Sequence, residues 1–294
     1  MEFHHVAGGI NWYCEQRGNG PAIVLIPSGE GDCGSFAKVA DALSDEFTIL
    51  SFDTPGFSRS GPPPLPGKQN TLVLAEQVSE LVESLSIGPA TFYGSGSGGI
   101  AVLSLVACYS SLVRNAIVHE AELVKDYAFP DMAAAFQALN LLDDNSIIAV
   151  CRDLFRTQLN LNPQPWDDLG WEYHLRLEKN FVPWVRHYLT QDGDAFPSYN
   201  GAELQRRPIA WSIGGYSPVW FGLSNLRVAH RAGIDVEIFK CRHFPQVEIP
   251  EILARHIRRH ARQHLPGIAG SETQSSAKLV VSDYEFSLKI RTDD

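Results

Sequence analysis

The chain is poor in the residues that staple, span or ligate. Its five cysteines (Cys14, Cys33, Cys108, Cys151 and Cys241) are odd in number, with no CxxC and no paired spacing. That argues against a disulfide framework and for a reduced, cytoplasmic protein. The sequence holds no run of eighteen apolar residues, so no membrane-spanning helix is expected. Met1 to His5 lacks the basic-then-apolar order of a secretion signal. Positive charge is scarce as well: 24 Lys and Arg against 34 Asp and Glu leave a net charge of −10, which speaks against a nucleic-acid partner. The one basic run, Arg255 to His264, reads as the solvated face of a terminal helix, with His256, His260 and His264 on its surface. Metal-ligand spacing, a phosphate loop and a dinucleotide fingerprint are all missing, so no metal or cofactor is expected.

What remains is an ordinary globular composition, 44% apolar over 294 residues, enough for one large domain with an insertion. Short apolar runs alternate with helix-like segments through the first third. Ala22–Ile26, Phe47–Phe52, Thr91–Tyr93 and Asn115–His119 read as strands; Phe36–Leu43, Leu72–Leu85 and Ile100–Cys108 read as helices. That alternation implies crossovers and a parallel sheet covered on both faces. From about Val124 to Arg207 helical segments and aromatics dominate, and then Ile209–Ile213 and Val236–Phe239 resume the strand rhythm. The expected architecture is an α/β core over 1–123 and 208–265, a helical cap over 124–207, and a tail over 266–294. The sheet should have eight mostly parallel strands with helices on both faces. In the tail, Lys278 to Leu288 alternates weakly, as an edge strand would.

The most informative segment is Phe92-Tyr93-Gly94-Ser95-Gly96-Ser97-Gly98-Gly99, a strand entering a tight turn and then a helix. This is the nucleophile elbow, Gly-x-Ser-x-Gly, of the α/β-hydrolase fold. In the register that keeps Gly94 and Gly98 as flanks, the tip is Gly96, which has no side-chain nucleophile. A register shifted to Ser97, or to Ser95, remains open, at the cost of a small flanking residue in a tight turn.

The other parts of such a site are a base, an acid and backbone donors. His243 lies just past the last strand, where this fold carries its base. The loop after the penultimate strand, Gly214 to Pro218, contains no carboxylate, and Asp235 lies at the wrong end of its strand. The strand Asn115–His119 runs straight into Glu120, at the end of a parallel sheet where sites gather. Glu120 is therefore the expected acid, with Glu122 its nearest competitor. The oxyanion donors expected are the amides of Ser97 and of Gly29, in the loop after Ala22–Ile26. Asp53 to Ser60 reads as a structural turn. Trp184, Tyr188, Trp220, Phe221 and Phe244 are candidates to line an apolar pocket for a flat phenolic ring.

Five stretches resemble the zearalenone lactonases: Gly9 to Gln16, Phe52 to Ser60, Arg114 to Glu120, Pro183 to Tyr188, and His243 to Pro245. The resemblance spans roughly residues 8–264. It implies a hydrolase that opens a macrocyclic resorcylic lactone through a serine, a glutamate after the sixth strand, and a histidine. Those positions fall on Gly96, Glu120 and His243; the cap tryptophan that contacts the lactone falls on Trp184, and the oxyanion loop on Ser28 and Gly29. The departure is Gly96, which implies an impaired form, a relative retained as a binder, or a broader esterase using Ser97. The partner implied is a small macrocyclic lactone, with a homodimer as a further expectation.

Overall fold

The computed structural model describes residues 1–64, 70–123, 130–189, 198–265, 277–281 and 284–290. One sheet organises the chain. Its strands are β1 (Glu2–Ala7), β2 (Ile10–Arg17), β3 (Ala22–Ile26), β4 (Thr48–Phe52), β5 (Ala90–Ser95), β6 (Val113–His119), β7 (Ile209–Gly214), β8 (Val236–Phe239), β9 (Ala277–Val281) and β10 (Tyr284–Ile290). They lie in the order β1-β2-β4-β3-β5-β6-β7-β8-β10-β9. The six strands from β4 across to β8 are parallel, and β1 and β2 add antiparallel pairings at one edge. Eight strands are those of an α/β-hydrolase sheet. The tail lengthens it, with β10 parallel to β8 and antiparallel to β9, and Lys289 in register with Glu237.

The central strands are apolar along their length because helices cover both faces. Within β3 the alternation sorts the residues. Val24 and Ile26 join the cluster under α2 (Thr71–Ser84) and α3 (Gly96–Cys108), whereas Ile23 and Leu25 join the one under α1 (Ala37–Leu43). Asn70 caps α2 by accepting from the Val73 amide at 2.9 Å, which satisfies one of the orphan donors of a helix start.

Between β6 and β7 the chain is helical: α4 (Pro130–Asn140), α5 (Asp144–Asp153), α6 (Pro163–Asp167), α7 (Trp171–Pro183) and α8 (Gly201–Leu204). Pro183 has no N–H to give the preceding turn, and the helix continues from it as a wider π turn, Trp184–Leu189. Phe155, Phe181 and Trp184 of this insertion pack with Phe221 and Phe244, which belong to segments after β7 and β8. After β7 come α9 (Val219–Arg231), then past β8 the short α10 (Pro245–Glu248) and α11 (Pro250–Gln263).

One expectation fails on α11. His256 is buried rather than on the surface, and His260 is partly buried. The helix lays this side against the sheet, where Glu237 of β8 reaches both imidazoles, at 3.5 Å from His256 Nδ1 and 3.4 Å from His260 Nε2. Arg259 Nη2 sits among all three, 2.7 Å from Glu237 Oε1, 3.0 Å from His256 Nδ1 and 2.9 Å from His260 Nε2. Sequence periodicity could not show that a strand carboxylate makes this face of the helix habitable for charge.

Candidate active site

The strand order turns at β3, whose two neighbours are β4 on one side and β5 on the other. At such a switch point the loops leaving the strand ends part and open a crevice. Register then lines up four loops. Ile26 is opposite Gly94, Ser95 opposite His119, and His119 opposite Ser212. The segments carrying Ser28, Gly96, Glu120 and Gly214 therefore leave the sheet side by side.

The turn after β5 places Gly96 at its tip with φ +54°, the left-handed region that glycine enters without strain. Its flanks must also be glycine: a Cβ on Gly94 would run into the backbone of Gly98, and one on Gly98 into the carbonyls of Ile26 and Pro27. This geometry is that of an elbow with residue 96 at the apex. A Cβ built there would stand 2.7 Å from His243 Nε2 and would overlap Ser28 Oγ. Ser95 is buried with its hydroxyl unpartnered among the described residues, and Ser97 lies in the first turn of α3.

The structure brings His243 and Glu120 together. His243 is 1% exposed, and its Nδ1 stands 2.9 Å from Glu120 Oε2. Glu120 takes φ +43° at the end of β6 and accepts two more hydrogen bonds, from the Gly214 amide at 2.7 Å and from Ser217 Oγ at 2.9 Å. Burial alone would raise its pKa. The hydrogen bond and positive charge of His243, with help from Ser217, outweigh that and hold the carboxyl below the usual range. Burial likewise would lower the pKa of His243, but the hydrogen bond and charge of Glu120 raise it above the ordinary imidazole value. A carboxylate on Nδ1 fixes the tautomer, so Nε2 is the atom free to take a proton. Nε2 has no hydrogen-bond partner among the described residues, and it faces residue 96.

Glu122, the competing acid, lies on the other side of the ring, with Oε1 4.0 Å from Nε2. Burial pushes its pKa up. The neighbouring His119 is a different kind of histidine. It stacks on Phe239, its Nδ1 is 3.0 Å from Ser212 Oγ, and burial drives its pKa down to about 4, so it stays neutral.

The aromatic candidates converge on this corner. Phe221 stacks on the His243 ring at 4.3 Å, with Trp220 stacked on Phe221 at 3.8 Å, and Phe244 meets His243 edge-on at 5.3 Å. Trp184 lies against the backbone of Gly29, where a Cβ would overlap the indole. Tyr188 packs edge-on against Phe57. The indole Nε1 of Trp184 and the hydroxyl of Tyr188 are buried without a partner among the described residues, as is Glu30 Oε2. Away from this corner, Glu237, His256 and His260 hold ligand atoms within 4.8 Å of one another, but Arg259 already occupies the position a cation would take.

Known proteins resemble the chain over most of its length. Residues 21–167 match the family model for the alpha/beta hydrolase fold. A zearalenone hydrolase from Bionectria ochroleuca is 30% identical over 260 residues, 87% of this chain and 96% of that protein. One from Cladophialophora bantiana is 33% identical over 263 residues, 87% of this chain and 95% of that protein. The chain belongs to the zearalenone hydrolase family of the α/β-hydrolases. The fold is shared far more widely: a thermophilic esterase from Thermogutta terrifontis superposes with a TM-score of 0.68 at 16% identity, covering 90% of this chain and all of that one. The protein is thus a hydrolase of the ester and lactone class.

Several residues that build this hydrolase's site carry no sequence signal. Asn180 of α7 ties the insertion to the sheet loops: its amide donates to Glu30 O and Ser58 Oγ, each at 2.8 Å, and accepts from the Ser58 amide at 2.8 Å. Arg176, one turn earlier, reaches Asp32 at 2.6 Å. Asn225 of α9 donates to Ala121 O at 3.0 Å and so holds the residue after Glu120. Glu30 is fully buried beside His243, and desolvation pushes its pKa up to about 7. The Asp53 turn is structural, as expected: its carboxylate accepts from the Cys33 and Arg59 amides and from Arg59 Nε.

Proposed function

We propose that the protein binds and opens a macrocyclic resorcylic lactone of the zearalenone type at the corner formed by residue 96, His243 and Glu120. The observation that carries this is the orientation of His243, with Nδ1 on Glu120 and Nε2 facing the elbow apex 2.7 Å from a Cβ built there. Two relatives named for zearalenone hydrolysis, each covered over more than nine-tenths of its length, support the substrate class. The aromatic cluster of Trp184, Tyr188, Trp220, Phe221 and Phe244 suits a flat phenolic ring, and the helices from α4 to α8 act as its cap.

Each part has one task. Nε2 of His243 removes the proton of an attacking O–H as oxygen joins the lactone carbonyl carbon. Glu120 stabilises the imidazolium so formed. The amides of Gly29 and Ser97 hold the carbonyl oxygen as it gains charge. The imidazolium then gives its proton to the departing alkoxide, which opens the ring, and water releases the acyl group by the same route. With a hydroxyl on residue 96 this is a complete serine hydrolase; with Gly96 the charge-handling parts stand without that hydroxyl.

The bare α-carbon at 96 favours a second reading, a ligand-binding protein on the hydrolase scaffold. Incubating zearalenone with the protein and with its Gly96→Ser variant, and looking for the ring-opened hydroxy acid by mass spectrometry, separates the two. Opening by G96S supports the lactonase reading. Tight binding with no opened product from either protein supports the receptor.

A further inference from the structure

The elbow of this chain lacks a hydroxyl, but the corner it points into does not. Ser28 is buried, and its Oγ occupies the space that a Cβ on residue 96 would need. The same point is 2.7 Å from His243 Nε2. A hydroxyl and the free nitrogen of a histidine–glutamate pair thus converge on one spot from two loops, those after β3 and β8. We propose that Ser28 is the nucleophile of this chain, taking over from the other side of the crevice the part that residue 96 plays in an intact elbow. This rests on the lactonase reading above and extends it to the protein as it stands.

Three features of the corner suit the exchange. First, Nε2 lacks a partner among the described residues, and the Ser28 hydroxyl approaches the same point. A change of χ1, the small motion that a side chain makes between staggered wells, is the adjustment that would join the two in a hydrogen bond. Second, an elbow draws its oxyanion donors from the residue after the nucleophile and from the loop after the third strand. For a nucleophile at 96 these are Ser97 and Gly29. For a nucleophile at 28 the residue that follows is Gly29 and the donor across the crevice is Ser97, so the same two amides serve in exchanged roles. Third, Ser28 lies at the N-terminal end of α3, thirteen residues long, whose unpaired amides favour negative charge on an attacking oxygen.

The chemistry balances without any added reagent. Ser28 Oγ forms a bond to the lactone carbonyl carbon as its proton passes to His243 Nε2. The bond from that carbon to the ring oxygen breaks, the oxygen takes the proton from Nε2, and the opened chain is left as an ester on Ser28. Water then adds to the acyl carbon with His243 taking one of its protons. The ester bond to Ser28 breaks, Ser28 Oγ recovers the proton, and a carboxylic acid leaves. The net change is lactone plus water to hydroxy acid.

The test treats the protein, its Ser28→Ala variant and its G96S variant with a fluorophosphonate, maps the adduct by peptide mass spectrometry, and follows hydrolysis of a p-nitrophenyl ester. Ser28 as nucleophile predicts an adduct on the Ser28 peptide of the unchanged chain, none on S28A, and an ester hydrolysis rate at least about tenfold lower in S28A. In G96S the adduct moves to the peptide carrying residue 96. An adduct on Ser97 or Ser95 in the unchanged chain overturns the proposal. So does a silent unchanged chain beside a labelled G96S, an outcome that leaves the lactonase reading in place. If neither protein is labelled or active, both readings fall together.

Discussion

His243 and Glu120 meet at 2.9 Å although 123 residues separate them in sequence. The carboxylate is held in turn by the Gly214 amide and Ser217, so the imidazole is aimed by a group that cannot itself turn away. Glu120→Gln keeps the size and removes the charge. Because an amide can pair with the wrong tautomer, kcat of the G96S protein is expected to fall by about 10³–10⁴-fold in G96S/E120Q with little change in KM. Steady-state kinetics on one ester checks this, and a loss under tenfold counts against the pairing.

The charge on the other side of the ring sets a pH dependence. Glu120, Glu122 and Glu30 all favour the imidazolium and raise the pKa of His243. The base works only when neutral, so activity of G96S is expected to rise with pH through a value above the ordinary imidazole range near 6.5. Glu122→Gln removes one of these three charges. The acidic limb of its kcat/KM profile should therefore move to lower pH, while an unmoved limb would show that Glu122 does not act on the imidazole.

Glu30 makes a prediction about stability. Its folded pKa, pushed up to about 7, lies above the ordinary value of 4.5. The unfolded chain therefore releases this proton first as pH rises. Stability drains away between roughly pH 4.5 and 7 and stays lost above, a loss on the order of 3 kcal/mol. Glu30→Gln has no proton to lose, so melting scans from pH 5 to 8 should show a flatter decline than the parent, with the variant ahead at the alkaline end. Parallel curves would mean that Glu30 does not titrate in this window.

Gly96 and Ser28 are coupled by space. A serine at 96 must hold φ +54° and displace the Ser28 hydroxyl, so G96S is expected to lose on the order of 1–3 kcal/mol in urea denaturation. Adding Ser28→Ala removes the overlapping oxygen, and the double variant should recover part of that loss. A coupling energy near zero in the double-mutant cycle would place the two side chains out of contact.

Asn180 fastens α7 to the loops after β3 and β4 through three hydrogen bonds, two of them to Ser58. Asn180→Ala leaves buried groups without partners and should cost about 1–3 kcal/mol in urea denaturation. The KM for a bulky lactone should rise as the oxyanion loop loosens. Unchanged stability and KM together would remove Asn180 from the site's support.

The parts legible in the sequence sit at strand ends. Continuous apolar runs locate the parallel strands, and the loop that follows each run comes from counting: Gly96 and Glu120 directly after β5 and β6, and His243 four residues past the end of β8. Glycines at 94 and 98 could be read as a tight turn because only a residue without Cβ passes there. The rest depends on approach between distant segments. Nothing in Pro27-Ser28-Gly29 shows that its hydroxyl ends where the side chain of residue 96 would be. Nothing around Glu30 shows that its carboxylate is fully buried beside Ser35 and Gln246. The surface reading of His256 fails for the same reason, since a helix face that reads as polar is buried when a carboxylate such as Glu237 waits beneath it.

A structure of the unchanged chain soaked with zearalenone tests the central claim most directly. The account predicts the ester carbonyl carbon in the corner between residue 96 and Ser28, with its oxygen about 3 Å from the Gly29 and Ser97 amides and its leaving oxygen toward His243 Nε2. A lactone seated elsewhere, or one whose carbonyl turns away from both amides and the imidazole, would contradict it.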